Sequence, residues 1–188
     1  MASKKTVKKQ RIKKKKWFEI ALPQLLKGAV FAESYAESAD DLIGRSIKTN
    51  LGEVLSSGKR FMNIKLIVDD VKTSTASTKI KSIEVSLPYI LRKTRKNSKI
   101  SAKIVGKTSD DVKVDLRLCA ITRGHCLTTT KKDIRKRLEE FMQKALKENK
   151  KDNLIMELIT NNIQNNIKKD LKKLIPMKSI ELEKIIIL

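Results

Sequence analysis

Apolar residues in this 188-residue chain change their spacing twice, and that change limits the fold more than any other feature of the sequence. Ile64, Leu66 and Val68 alternate with Lys65, Ile67 and Asp69, and Ile80, Ile83 and Val85 follow beyond the turn-rich segment Asp69-Asp70-Val71-Lys72-Thr73-Ser74. The design recurs downstream. Ile100, Ala102 and Ile104, then Val112, Val114, Leu116, Leu118 and Ala120, alternate on either side of Gly106-Lys107-Thr108-Ser109-Asp110-Asp111, which predicts a second hairpin. Pro88 to Leu91 begins a short helix between the two. From Thr130 the period becomes helical: Ile134, Leu138, Phe141, Met142, Ala145 and Leu146 share one face, behind a capping box read at Thr130-Lys131-Lys132-Asp133. A second helix, capped by Asp152 or Asn153, continues through Leu154/Ile155, Leu158/Ile159 and Ile163 to Leu174/Ile175, where Pro176 stops it. Alternation then returns, with Ile180 and Leu182 opposed to Glu181 and Glu183, so the chain is expected to close on a strand. The fold class expected is α+β: a strand-rich body with two C-terminal helices packed against it and a final strand, one domain over 17–188.

The segment before that body has a different character. Residues 1–16 hold nine basic residues, no acidic ones and no apolar face, which predicts a disordered arm that orders on a partner. The remaining 34 basic and 21 acidic residues leave the body itself with an excess of +13, out of +22 for the chain. Such a compact chain repels itself unless a polyanion neutralises it, and RNA or DNA is the polyanion that fits. Arg92, Lys93, Arg95, Lys96 and Lys99 lie within eight residues with no acid among them, the densest basic cluster outside the arm. Lysine outnumbers arginine 34 to 9, a balance that favours point-charge contacts to phosphate over bidentate base reading.

Catalytic and targeting patterns fail on inspection. Gly106-Lys107-Thr108 looks like the end of a phosphate-binding loop, but the glycine needed five residues earlier is Ser101 and a strand follows. Cys119, His125 and Cys126 lack the paired spacing of a metal site, and the chain has no second histidine. Two cysteines make no disulfide framework, which points to a reducing compartment. Glu19, Pro23 and Lys27 interrupt the apolar stretch after the basic start, so neither a signal peptide nor a membrane span is expected. No enzymatic activity, cofactor or metal is assigned. The surviving alternative to an RNA-binding protein is a DNA-compacting or chromatin-associated one.

The run Lys15-Lys16-Trp17-Phe18-Glu19-Ile20-Ala21-Leu22-Pro23 resembles the opening of the S-three-a-e (e-S-one) family of small-ribosomal-subunit proteins of archaea and eukaryotes. Leu42-Ile43-Gly44-Arg45, Lys65 to Val71, Val112 to Thr122, Ile134-Arg135-Lys136 and Ile163 to Pro176 are similar to its later segments, in the same order. Asp110-Asp111 departs from the Asp-Gly often found at the second hairpin. The resemblance implies a β-barrel-like body with packed helices. It also implies a structural role on the platform of the small subunit in the cytoplasm, near the messenger exit, with small-subunit ribosomal RNA, neighbouring platform proteins and messenger RNA near the exit as partners. The end at Leu188 lacks the long extension of eukaryotic members, which favours an archaeal-type ribosome.

Three RNA-contacting groups are expected on this reading. The first is the arm, Lys4, Lys5, Lys8, Lys9, Arg11, Lys13, Lys14, Lys15 and Lys16, with Trp17 at its junction either stacking on a base or anchoring in the core. The second is Arg92, Lys93, Arg95, Lys96 and Lys99. The third is Arg123, His125, Lys131, Lys132, Arg135 and Lys136, around the start of the first long helix.

Overall fold

The computed structural model describes residues 14–26, 28–55 and 58–188. Lys4, Lys5, Lys8, Lys9, Arg11 and Lys13 lie outside the described residues. Among the described residues, eight strands and five α-helices follow in the order β1 (Lys16–Ala21), β2 (Val30–Ala36), β3 (Ser46–Asn50), α1 (Leu51–Val54), β4 (Met62–Lys72), β5 (Thr75–Val85), α2 (Leu87–Thr94), β6 (Lys99–Lys107), β7 (Lys113–Thr122), α3 (Thr128–Glu148), α4 (Lys151–Thr160), α5 (Asn162–Leu171) and β8 (Met177–Ile187). The α+β class is as the periodicity predicts. Lys16, grouped with the arm in the sequence reading, pairs with Ala36 as the first residue of β1.

All eight strands join one sheet, organised by β5. Along one edge β5 pairs with β4 over its whole length, and β4 with β3. Its other edge is shared: Thr75 to Ser77 lie parallel to Glu19–Ala21 of β1, and Ser82 to Glu84 antiparallel to β8. From β8 the ladder continues through β7 to β6. The expected barrel does not close. β2, β3 and β6 each pair on one side only among the described residues, because one strand whose edge serves two partners splays the sheet into two wings instead of curling it shut.

Each wing has its own core. Phe18, Ile20, Ala36, Leu42, Val68 and Ala76 fill a small one under β1 and β2. The large one sets Leu116, Leu118 and Ala120 of β7 and Ile180, Leu182 and Ile185 of β8 in one cluster with Ile134, Leu138, Met142 and Leu146 of α3, all at 5% exposure or less. Each of these leucine, isoleucine and methionine side chains contributes about 1.5–3 kcal/mol on burial.

Several local expectations are corrected. The first hairpin turns at Thr73-Ser74 alone, with Lys72 facing Thr75, because a β-bulge between Val68 and Asp70 lets β4 run through both aspartates. α3 starts at Thr128, two residues before the capping box, and Leu127 occupies its N-cap without a side-chain cap bond. The long second helix is two. Asn161 adopts φ 64°, ψ 22°, closing α4 with a left-handed residue, and the chain restarts as α5, so the body carries three C-terminal helices in place of two.

Candidate nucleic-acid interface

Parts of the second and third basic groups, separated in sequence, are brought side by side in the fold. Thr122 of β7 donates its backbone N–H to the Ser98 carbonyl at 3.1 Å, and Ser98 returns its own N–H to Gly124 O at 3.1 Å. Asn97 Oδ1 accepts from Gly124 N at 3.1 Å, and Ser98 Oγ accepts from Cys126 N at 3.2 Å. Two turns thereby lie side by side, one carrying Arg95 and Lys96, the other Arg123 and His125. Gly124, at φ 84°, and Lys96, at φ 62°, both sit in the left-handed region that bends these turns towards each other. Asn97 and Ser98 hold the surface together, and only their turn-forming character marked them in the sequence.

The carboxylates of β8 sort the basic residues. Lys93 Nζ lies 2.5 Å from Glu181 Oε1, and Lys99 is ion-paired to Glu183. The cluster without acids in sequence is therefore partly neutralised in space. Burial pulls the Lys93 ammonium down, but the Glu181 carboxylate and the Tyr89 hydroxyl outweigh it, and the net direction is up. Glu181 is only 8% exposed, so Lys93 and Glu181 hold α2 to β8. Lys99 lies in β6, and Lys93 lies in the last turn of α2, not in the loop expected there. By contrast, Arg92, Arg95, Lys96, Arg123 and His125 are exposed and make no ion pair among the described residues.

The third group divides in the same way. Lys132 and Lys136 are exposed on α3 and Lys131 is half-buried. Arg135 donates from Nε to Ser101 O at 3.2 Å, which ties α3 to the edge strand β6. Two lysines not singled out in the sequence join from the far end of the chain. Lys178 donates to Lys93 O at 2.8 Å, Lys168 donates to Lys178 O at 2.7 Å, and Arg123 N donates to Pro176 O at 2.9 Å. No local pattern signals them, because the pairing of β7 with β8 brings Lys178 there and the Lys168 bond to Lys178 O links α5 to it.

The arm's junction faces outward. Phe18 enters the small core, whereas Trp17 is 67% exposed, which corrects its reading as a core anchor. Its ring stands edge-on to Tyr35 at 5.6 Å and 65°, and Lys15 Nζ lies 4.9 Å from the Tyr35 ring centre. Lys14, Lys15 and Lys16 are exposed beside this aromatic pair.

Burial raises the Cys119 thiol to about 12, so it is a protonated core residue, and Cys126 is half-buried. No helix among the described residues is long and apolar enough to cross a membrane.

The model of the ribosomal S3Ae family matches residues 3–188. The chain belongs to that family. Its relatives include the small ribosomal subunit protein eS1 of Methanobrevibacter smithii, 27% identical over 174 residues that cover 92% of this chain and 90% of that protein. The eS1 proteins of Staphylothermus marinus and Halorubrum lacusprofundi are 32% and 29% identical over 135 and 136 residues, 70% and 71% of this chain. In both cases the match spans 63% of the relative's length. In this S3Ae member the second hairpin turns with Asp111 at φ 57°, so an aspartate takes the left-handed position that Asp-Gly turns give to glycine.

Proposed function

We propose that this chain is a structural component of the small ribosomal subunit in the cytoplasm that binds small-subunit ribosomal RNA. Its place in that reading is the platform near the messenger exit, beside other platform proteins and messenger RNA. The observation that carries the proposal is the sorting of charge. The lacing of the 95–98 turn to the 122–126 turn gathers Arg95, Lys96, Arg123 and His125 on one exposed surface, while the nearby carboxylates are occupied by Lys93 and Lys99. Surplus positive charge held on two turns that are hydrogen-bonded to each other at the end of the sheet is suited to phosphate oxygens. The exposed Trp17 and Tyr35, beside Lys14 to Lys16, add a face on which an unpaired base stacks. Family membership and the relatives' name support the ribosomal assignment.

The test is a variant carrying Arg92→Gln, Arg95→Gln, Lys96→Asn and Arg123→Gln, which leaves Lys93 to neutralise Glu181 and puts asparagine at the left-handed position. It is expected to fold and to co-sediment poorly with small subunits on a sucrose gradient. The log-log salt slope of ribosomal RNA binding should fall by about 1 for each phosphate no longer neutralised. Normal incorporation with an unchanged slope refutes the surface. Migration of the unaltered protein with DNA rather than with small subunits refutes the ribosomal reading.

A further inference from the structure

The outer face of α5 carries a stripe that the fold itself does not require. α5 buries Ile163, Ile167 and Leu171 in the large core, and on its other side Asn162, Asn165, Asn166, Lys169 and the C-cap Lys172 are exposed, spaced three or four apart along one face. Asparagine is among the poorer helix formers, because its amide competes for nearby backbone groups. Asn165 and Asn166 nevertheless stand together inside the helix, and none of the three asparagine side chains is hydrogen-bonded within the protein among the described residues. Their amides are offered to solvent.

The lysines of the stripe keep their charge. Asp170 is half-buried and stands 3.6 Å from Lys173, while Lys169 and Lys172 make no ion pair among the described residues. Lys168, in the last turn of α5, donates to Lys178 O, and Lys178 donates to Lys93 O. The lysine end of the stripe is therefore the end tied to α2 and to the turn with Arg95 and Lys96 that follows it, and the asparagines occupy the other end. From Asn162 to Lys172 the stripe is about 15 Å long. It contains no aromatic residue on which an unpaired base would stack.

We propose that this face of α5 lies across the minor groove of an A-form RNA duplex, a proposal that rests on the RNA-binding reading above. A helix about 10–12 Å across with one side sunk in the core stands only about 5–6 Å clear of the body. That is short of the roughly 8.5 Å depth of the major groove of DNA, and the major groove of duplex RNA is too deep and narrow for side chains to read. The RNA minor groove is wide and shallow and displays 2′-hydroxyls, each a donor and an acceptor. An asparagine amide is likewise both donor and acceptor, so Asn162, Asn165 and Asn166 match a row of hydroxyls whatever the base sequence. Lys169 and Lys172 meet the phosphates bordering the groove, on the side towards Arg95 and Lys96.

The experiment measures binding of the full chain, by fluorescence anisotropy, to four probes of one sequence: an RNA duplex, the same duplex with 2′-fluoro sugars, a DNA duplex and single-stranded RNA. The 2′-fluoro duplex keeps the A form but has no 2′-hydroxyl donor. The RNA duplex is expected to bind about tenfold more tightly than each of the other three, the factor of one or two hydrogen bonds. Asn162→Ala, Asn165→Ala and Asn166→Ala combined should abolish that preference. Alanine is the better helix former, so the melting midpoint of this variant should not fall. Lys169→Gln with Lys172→Gln should keep the preference and lower the log-log salt slope by about 2. Equal binding of the RNA and DNA duplexes, equal binding of the 2′-fluoro duplex, tighter binding of the single strand, or an unchanged preference in the triple variant overturns the proposal. Ribosomal RNA binding by the unaltered chain separates the two readings. If it persists without a preference for the RNA duplex, the α5 assignment alone fails, and if it is absent, the RNA-binding reading fails as well.

Discussion

Asp115 shows how a single carboxylate is made to serve the sheet. Its side chain is 8% exposed in β7, where Arg117 Nη2 donates to Oδ2 at 2.9 Å and Lys103 of β6 stands 3.5 Å away. The Arg117 hydrogen bond, against the opposing effect of burial and with help from Lys103, holds the Asp115 carboxyl below the usual carboxylate range. A depressed native pKa stabilises the fold fully above the unfolded value of about 3.9, and the contribution disappears as pH falls through the native value. Asp115→Asn is therefore expected to cost about 2 kcal/mol in urea denaturation at neutral pH. The gap to the unaltered protein should narrow as the pH is lowered below about 4, whereas parallel stability curves would remove Asp115 from the acid response. The same chemistry was invisible at Lys93 and Lys99. Their carboxylate partners lie more than eighty residues along the chain, so a cluster free of acids in sequence was read as free of acids in space.

Elements were legible where a repeat was long. β6 and β7 pair from Lys99–Ile121 to Lys107–Lys113 without a shift, as strict alternation requires, and the buried face of α3 is the one marked by Ile134, Leu138, Met142 and Leu146. Boundaries were less legible, because competing local signals end an element within a residue or two. Thr128 and Thr129 extend α3 back to Leu127, whose exposed apolar side chain leaves the first turn without a side-chain cap. Leu127→Asn is expected to raise thermal stability by about 1 kcal/mol, measured as an upward shift of the melting midpoint. No rise would mean that the first-turn N–H groups are already satisfied by another route. The break at Asn161 escaped the periodicity reading because α4 and α5 both bury apolar faces in the same core, and the repeat of four continues through the interruption.

At the scale of the molecule, charge and topology act together. Removing residues 1–13 should weaken ribosomal RNA binding at least tenfold at low salt and reduce its salt slope by several units, since six cations go with them. The melting midpoint should stay within a degree or two, and a large fall would show that this segment stabilises the body. The sequence by itself determined the α+β class, the identity of most core residues, the excess of positive charge and the family, because these follow from spacing, composition and motif order along the chain. Tertiary structure alone decided that β8, the last strand, lies between β5 and β7, and that the edge of β5 is divided between β1 and β8, so the sheet opens into two wings. It alone decided which basic residues stand exposed without an ion pair among the described residues and which pair with Glu181 and Glu183. Strand order and ion pairing depend on which distant segments bury each other's faces, and that is set by the packing of the whole core rather than by any local run of residues.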